Sequence, residues 1–141
     1  MTPTAAEAAL QTIGKTIRQL ARVPSQAARG AAPRIAELLQ NQFDEGVDPY
    51  GDPWAPLMPS TMARGRTPPP LTDTGDMRDL TVEPSGSSGI AIHLGAGYSA
   101  FHQVGTKTMD ARPILPVHGI PNSWHEAIVE ETRSAVKRAL P

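Results

Sequence analysis

Between residues 46 and 121, 21 of 76 positions are Gly or Pro. Proline removes a backbone donor and glycine adds backbone freedom, so every regular element in that stretch must be short. The flanks are different. Ala6, Leu10, Ile13, Ile17 and Leu20 recur at steps of three and four, which predicts an amphipathic helix over roughly 4–22, weakened at Gly14 and ended by Pro24. Pro33 is placed to open a second helix at its first turn, with Ile35, Leu38, Leu39 and Phe43 as its apolar stripe and Gly46 as its stop. At the other end, Ser123-Trp124-His125-Glu126 has the pattern of a capping box, which predicts a helix over 123–139. Its apolar face comprises Trp124, Ala127, Ile128, Ala135, Val136 and Ala139, and Glu130 forms a weak solvent-side pair with Arg133.

The middle of the chain is punctuated by turns. Asp48-Pro49-Tyr50-Gly51-Asp52-Pro53 reads as consecutive tight turns, and Pro68-Pro69-Pro70 is an extended spacer after Arg64-Gly65-Arg66. Thr81–Glu83 and Gly89–Leu94 alternate well enough for two strands, and Pro84–Ser88 between them predicts a hairpin with a mobile loop. Tyr98–Gly105 reads as one or two helical turns ended by Gly105, with Tyr98, Phe101 and His102 packed inward. The order is α+β in one domain over 1–141: a helical part over 4–45, loops and short antiparallel strands over 46–117, and a C-terminal helix over 123–139.

Composition narrows the chemistry. The chain has no cysteine, which excludes disulfides, thiol catalysis and thiolate metal sites. Thirteen basic against fourteen acidic residues leave a net charge near −1 and no broad field for nucleic acid. No run approaches 18 apolar residues and the N-terminus lacks a secretory pattern, so a membrane partner is not expected and the chain is expected to be made in the cytosol. His93, His102, His118 and His125 match no metal spacing. Gly95-Ala96-Gly97 lacks the third glycine of a dinucleotide fingerprint, and Gly105-Thr106-Lys107-Thr108 lacks the rest of a phosphate loop. Arg64 and Arg66 are too few for a nucleic-acid site. No nucleophile, base and orienting group can be nominated together, so neither catalysis nor a cofactor is expected. Trp54, held between Pro53 and Pro56, sits in a segment with two readings: Trp54 and Leu57 anchor this turn-rich loop on the core, or part of the Asp52–Leu57 segment supports an interface.

Four segments carry a family resemblance: Phe43–Leu57, including Asp48, Pro49, Gly51 and Trp54; Thr61 with Leu71–Met77, including Gly75; Tyr98–Gly105, including His102 and Gln103; and Ala111–Pro116, including Arg112 and Pro113. In order and spacing the chain resembles the virion morphogenesis or tail completion family of tailed bacteriophages and prophages. Met77 and Ile114 stand where that pattern more often has Leu and an aromatic residue; both remain apolar. The resemblance implies a non-enzymatic structural protein of the tail or neck, made in the host cytoplasm and built into the virion. It also implies a homo-oligomeric ring, hexameric in the family pattern, with terminal helices as a compact scaffold, tail or neck proteins as partners, and DNA passing close to a lumen. Phe43, Asp48, Pro49, Gly51, Trp54, Leu57, Gly75, Tyr98, His102, Gln103, Gly105, Arg112 and Pro113 are the implied structural or interface positions. The alternative is a small cytosolic adaptor that binds protein through its Pro-rich loops.

Overall fold

The computed structural model describes residues 2–59, 63, 78–95, 97 and 99–141. Its elements are α1 (Ala5–Leu20), α2 (Val23–Glu45), β1 (Leu80–Ser85), β2 (Gly89–Leu94), α3 (Ser99–Val104) and α4 (Asn122–Ala139). This is an α+β layout of N-terminal helices, a short antiparallel hairpin and a C-terminal helix.

The N-terminal boundary is a capping box at Thr4, a signal the sequence reading passed over. The Glu7 N–H donates to Thr4 Oγ1 at 3.1 Å, and the Thr4 N–H donates to the Glu7 carboxylate at 2.8 Å. Both prolines at the helix junction fall elsewhere than expected. Pro24 does not end α1, which stops at Leu20; it sits in the first turn of α2, where its missing N–H costs nothing. Pro33 does not open a helix but lies inside α2, with no N–H for the Arg29 carbonyl. The helix runs through it because Ala27, Ala28, Ala31, Ala32 and Ile35 are all buried in its packing. Those small side chains bring α2 close to α4. A Cβ on Gly30 would overlap the Glu131 carboxylate, which pairs with Arg34 at 3.4 Å. Glu130 reaches Arg34 as well, at 2.7 Å, in place of the expected partner Arg133.

α2 ends as expected at Gly46, whose φ of 69° is the left-handed conformation that glycine adopts without strain. The hairpin is tighter than expected. β1 and β2 pair from Leu80↔Leu94 to Ser85↔Gly89, so Pro84 and Ser85 belong to the strand and only Gly86–Ser88 turn. Leu80, Val82, Ile90, Ile92 and Leu94 pack against the core, whose fully buried centre is Leu39, Phe43 and Ile114. Ala31, Ile35, Trp54 and Trp124 complete it.

The box expected at Ser123 does not form. α4 starts at Asn122 with Pro121 as its cap and has no side-chain cap bond. Ser123 is therefore already in helical conformation, whereas a capping hydroxyl must come from an extended residue. The expected apolar face is otherwise in place: Trp124, Ala127, Ala135 and Ala139 are buried, and Ile128 and Val136 are half-buried.

α1 corrects the expectation of a scaffold built from both terminal helices. It buries no residue, and Leu10, Ile13 and Ile17 are 68, 54 and 61% exposed. The most regular apolar stripe in the sequence thus faces outward.

Candidate functional site

Three of the four family-like segments close on one another around Phe43 and Ile114. The first begins at the end of α2. Asp48 builds the tight turn after it, its Oδ1 accepting the N–H groups of Tyr50 and Asp52, both at 2.9 Å. Pro49 is buried beneath the turn, and Gly51, at φ 92°, supplies the left-handed residue it needs. The Trp54 N–H then returns to the Gly46 carbonyl at 2.8 Å. That return delivers the Trp54 ring to Phe43, edge to face at 5.6 Å between centroids. Its indole N–H donates to the Pro113 carbonyl at 2.8 Å. Trp54 is 5% exposed, and Leu57 is half-buried. The Trp54 ring thus anchors the turn-rich loop on the core.

The third and fourth segments, 99–105 and 111–116, interlock through side chains that bond to backbone. Gln103, on α3, accepts the N–H groups of Ile114 and Leu115 at 2.8 and 3.0 Å and donates to the Leu115 carbonyl at 2.8 Å. Its amide thus occupies the place a neighbouring strand would take. Arg112 is buried. Its Nε donates to the Ala55 carbonyl at 2.8 Å, a terminal nitrogen donates to the Pro56 carbonyl at 3.0 Å, and its own N–H donates to the His102 carbonyl at 2.7 Å. Gly105 ends α3 at φ 77°, its N–H on the Phe101 carbonyl. A Cβ there would stand 2.8 Å from the Ala111 nitrogen, so glycine is required for space as well as for backbone angle.

α3 corrects one packing expectation. Phe101 points outward and is 58% exposed, because the bonds of Gln103 turn the 99, 102 and 103 side of the short helix inward. His102 is half-buried on that inner side; burial, and secondarily the Arg112 charge, push its pKa below the ordinary 6.5. Gly75 and Tyr98, with Thr61, Leu71–Met77 and the Arg64–Pro70 spacer, lie outside the described residues.

Neither a family model nor a curated protein nor a solved structure matches the chain.

The histidines lie apart. His93 pairs with Glu83 at 3.2 Å on the outer face of the hairpin, His118 stacks at a tilt on Tyr50, and His125 is exposed on α4. Among the described residues no three His, Asp or Glu side chains are grouped to hold a metal, and no helix among them is long and apolar enough to cross a membrane.

Several bonding residues escaped the sequence reading. Gln42 is buried on the same side of α2 as Ile35 and Leu39 and donates to the Ile114 carbonyl at 3.0 Å; a glutamine within an apolar stripe was its signal. The Tyr50 hydroxyl donates to the Gly119 carbonyl and accepts the His118 N–H, both at 2.7 Å. Arg78 pairs with Asp44, bonds Gln40 and lies 5.8 Å from the Phe43 ring centre. Only contact across the sheet and loops could reveal that cluster.

Among the described residues, two apolar surfaces stand out. One is the stripe on α1. The other is a groove of about 540 Å³ between α2, β2 and α4, lined chiefly by aliphatic side chains.

Proposed function

We propose that this protein is a structural component of a tailed-phage virion, acting in tail completion or in joining the head to the tail at the neck, as a homo-oligomeric ring. One observation carries the reading. The segments behind the family resemblance, Phe43–Leu57, the 99–105 helix and turn, and Ala111–Pro116, form one hydrogen-bonded knot, in which Trp54, Gln103 and Arg112 each bind backbone of another segment. Residues so committed to shape are what a resemblance in architecture would retain. The same use leaves Arg112 and Gln103 bonded to carbonyl and amide groups of the fold. A ring subunit needs two different complementary faces, and the α1 stripe and the aliphatic groove supply two candidates. Deleting the gene from a phage that carries it, and imaging the particles by electron microscopy, tests the reading. Separate heads and unfinished tails are expected; joined, infectious particles would refute it.

A further inference from the structure

We propose that the cleft between the end of α2, the Asp48 turn and the start of α4 binds an arginine side chain carried on an extended segment of a partner protein. The proposal stands on this cleft alone and does not need the virion reading.

The cleft has a volume of about 520 Å³, inside the range of about 300–1,000 Å³ usual for ligand sites. Its wall combines apolar surface from Leu38, Val47 and Ile120 with polar groups from Gln42, Glu45 and Asp48, and it contains no Lys, Arg or His.

Gln42 is the first pointer to an occupant. It is 5% exposed, and its Nε2 is committed to the Ile114 carbonyl at 3.0 Å, which fixes Oε1 as the other end of the amide. Among the described residues no hydrogen bond is made to that oxygen, and it is not sealed from solvent: it opens onto the cleft that Gln42 lines. A nearly buried acceptor left in that state gains from an incoming donor.

The charges around it say which donor. Glu45 and Asp48 form no ion pair with any described residue. Asp48 uses Oδ1 for the Tyr50 and Asp52 N–H groups, and its Oδ2 has no donor among the described residues. Glu45 lies in the last turn of α2, where the helix already presents the negative end of its dipole and no basic residue offsets it. Its neighbour Asp44 is paired with Arg78, so the stability of α2 gives a reason for Arg78 but none for Glu45. A cation entering the cleft supplies one.

A guanidinium suits this set better than an ammonium. Its planar fork carries five N–H donors, enough for two carboxylates and an amide oxygen together. Its aliphatic stem has Leu38, Val47 and Ile120 to lie on. The facing wall accounts for the backbone of the ligand. α4 begins at Asn122 with no side-chain cap and no acid in its first turn, and Asn122 and Ser123 line the cleft. The first N–H groups of a helix need acceptors from outside it, and a peptide carbonyl beside the arginine is one.

Amide shifts in the isotope-labelled full chain, titrated with a capped Ala-Arg-Ala tripeptide, test this. Saturable shifts are expected at Gln42, Asp48, Asn122 and Ser123, with a Kd of about 1 mM. The same peptide with norleucine for arginine should bind at least about tenfold more weakly, and butylguanidinium, which has the fork and stem but no carbonyl, at least about threefold more weakly. Glu45→Lys separates the site from the fold. Residue 45 is exposed, and a cation in the last turn of α2 suits the helix dipole, so the urea midpoint should hold or rise while tripeptide affinity falls at least about tenfold. Shifts that do not saturate by about 20 mM, norleucine or butylguanidinium binding as well as the tripeptide, or undiminished affinity in Glu45→Lys would each overturn the proposal.

Discussion

Replacing Trp54 by alanine should be among the most damaging single changes available to this fold. The ring is 5% exposed, meets Phe43 edge to face at 5.6 Å, and donates to the Pro113 carbonyl at 2.8 Å. Truncating a buried tryptophan costs about 3–5 kcal/mol, through lost transfer energy and the cavity left behind. A domain of ordinary stability has only about 5–15 kcal/mol in total, so Trp54→Ala should lower Tm by about 10–20 °C or leave the chain largely unfolded. Trp54→Phe separates the two contributions. It retains an aromatic ring for Phe43 and removes the donor to Pro113, and it should cost about 1–2 kcal/mol. Urea titration followed by circular dichroism at the helix band reads both variants, since the assay does not depend on indole emission, and the slope reports whether the unfolding unit has changed. If Trp54→Ala stays within about 1 kcal/mol of the unaltered protein, the loop is not anchored by this ring, and the reasoning that ties Phe43–Leu57 to the core fails.

Three further outcomes follow from the same geometry. Gln103→Ala removes three hydrogen bonds to Ile114 and Leu115 and should cost about 2–3 kcal/mol by urea titration; Gln103→Glu, which retains the acceptor and loses the donor, should cost less than alanine. Because the His102 pKa is pushed below its ordinary 6.5, the unfolded chain takes up a proton more readily than the folded one. Stability from this residue is complete above about pH 6.5 and declines as the pH falls below it, and His102→Gln should flatten that part of the stability–pH curve. Pro33→Ala restores a donor for the Arg29 carbonyl at an exposed position, so it should stabilise the protein by about 1–2 kcal/mol and raise Tm; a loss of stability would show that α2 relies on the proline.

Local signals carried the fold wherever burial agreed with them. The stripe of Ile35, Leu39 and Phe43 is the centre of the core, and the alternation at Gly89–Leu94 is a strand in register with Leu80–Ser85. The same rules misjudged positions where a competing packing decided the outcome. Pro33 would open a helix in isolation, but the alanines on both sides of it gain more from packing on α4 than the missing hydrogen bond costs. Ser123 and Glu126 have the spacing of a cap, yet Pro121 starts the helix one residue earlier. Periodicity in α1 marked an apolar face and carried no information on what that face would touch. The site was legible as a set of positions, since Trp54, Gln103, Gly105 and Arg112 all lie in the segments that carry the resemblance. Their joint arrangement was not, because each bonds to backbone, and a backbone carbonyl leaves no trace in the amino-acid alphabet.

That last property has a consequence for how such a chain can vary. Ala55, Pro56, Pro113 and Leu115 take part in the knot through carbonyl oxygens that every residue possesses. The binding side chains on the other side of each bond have no such freedom, because no other residue offers a planar amide of Gln103's reach or the fork of Arg112. Substitution should therefore be tolerated unequally across each contact, with the acceptors drifting and the donors held. A library scanning both partners of every bond would show pairs of adjacent positions with opposite tolerance, and Pro113 would fall on the permissive side despite its place beside Arg112.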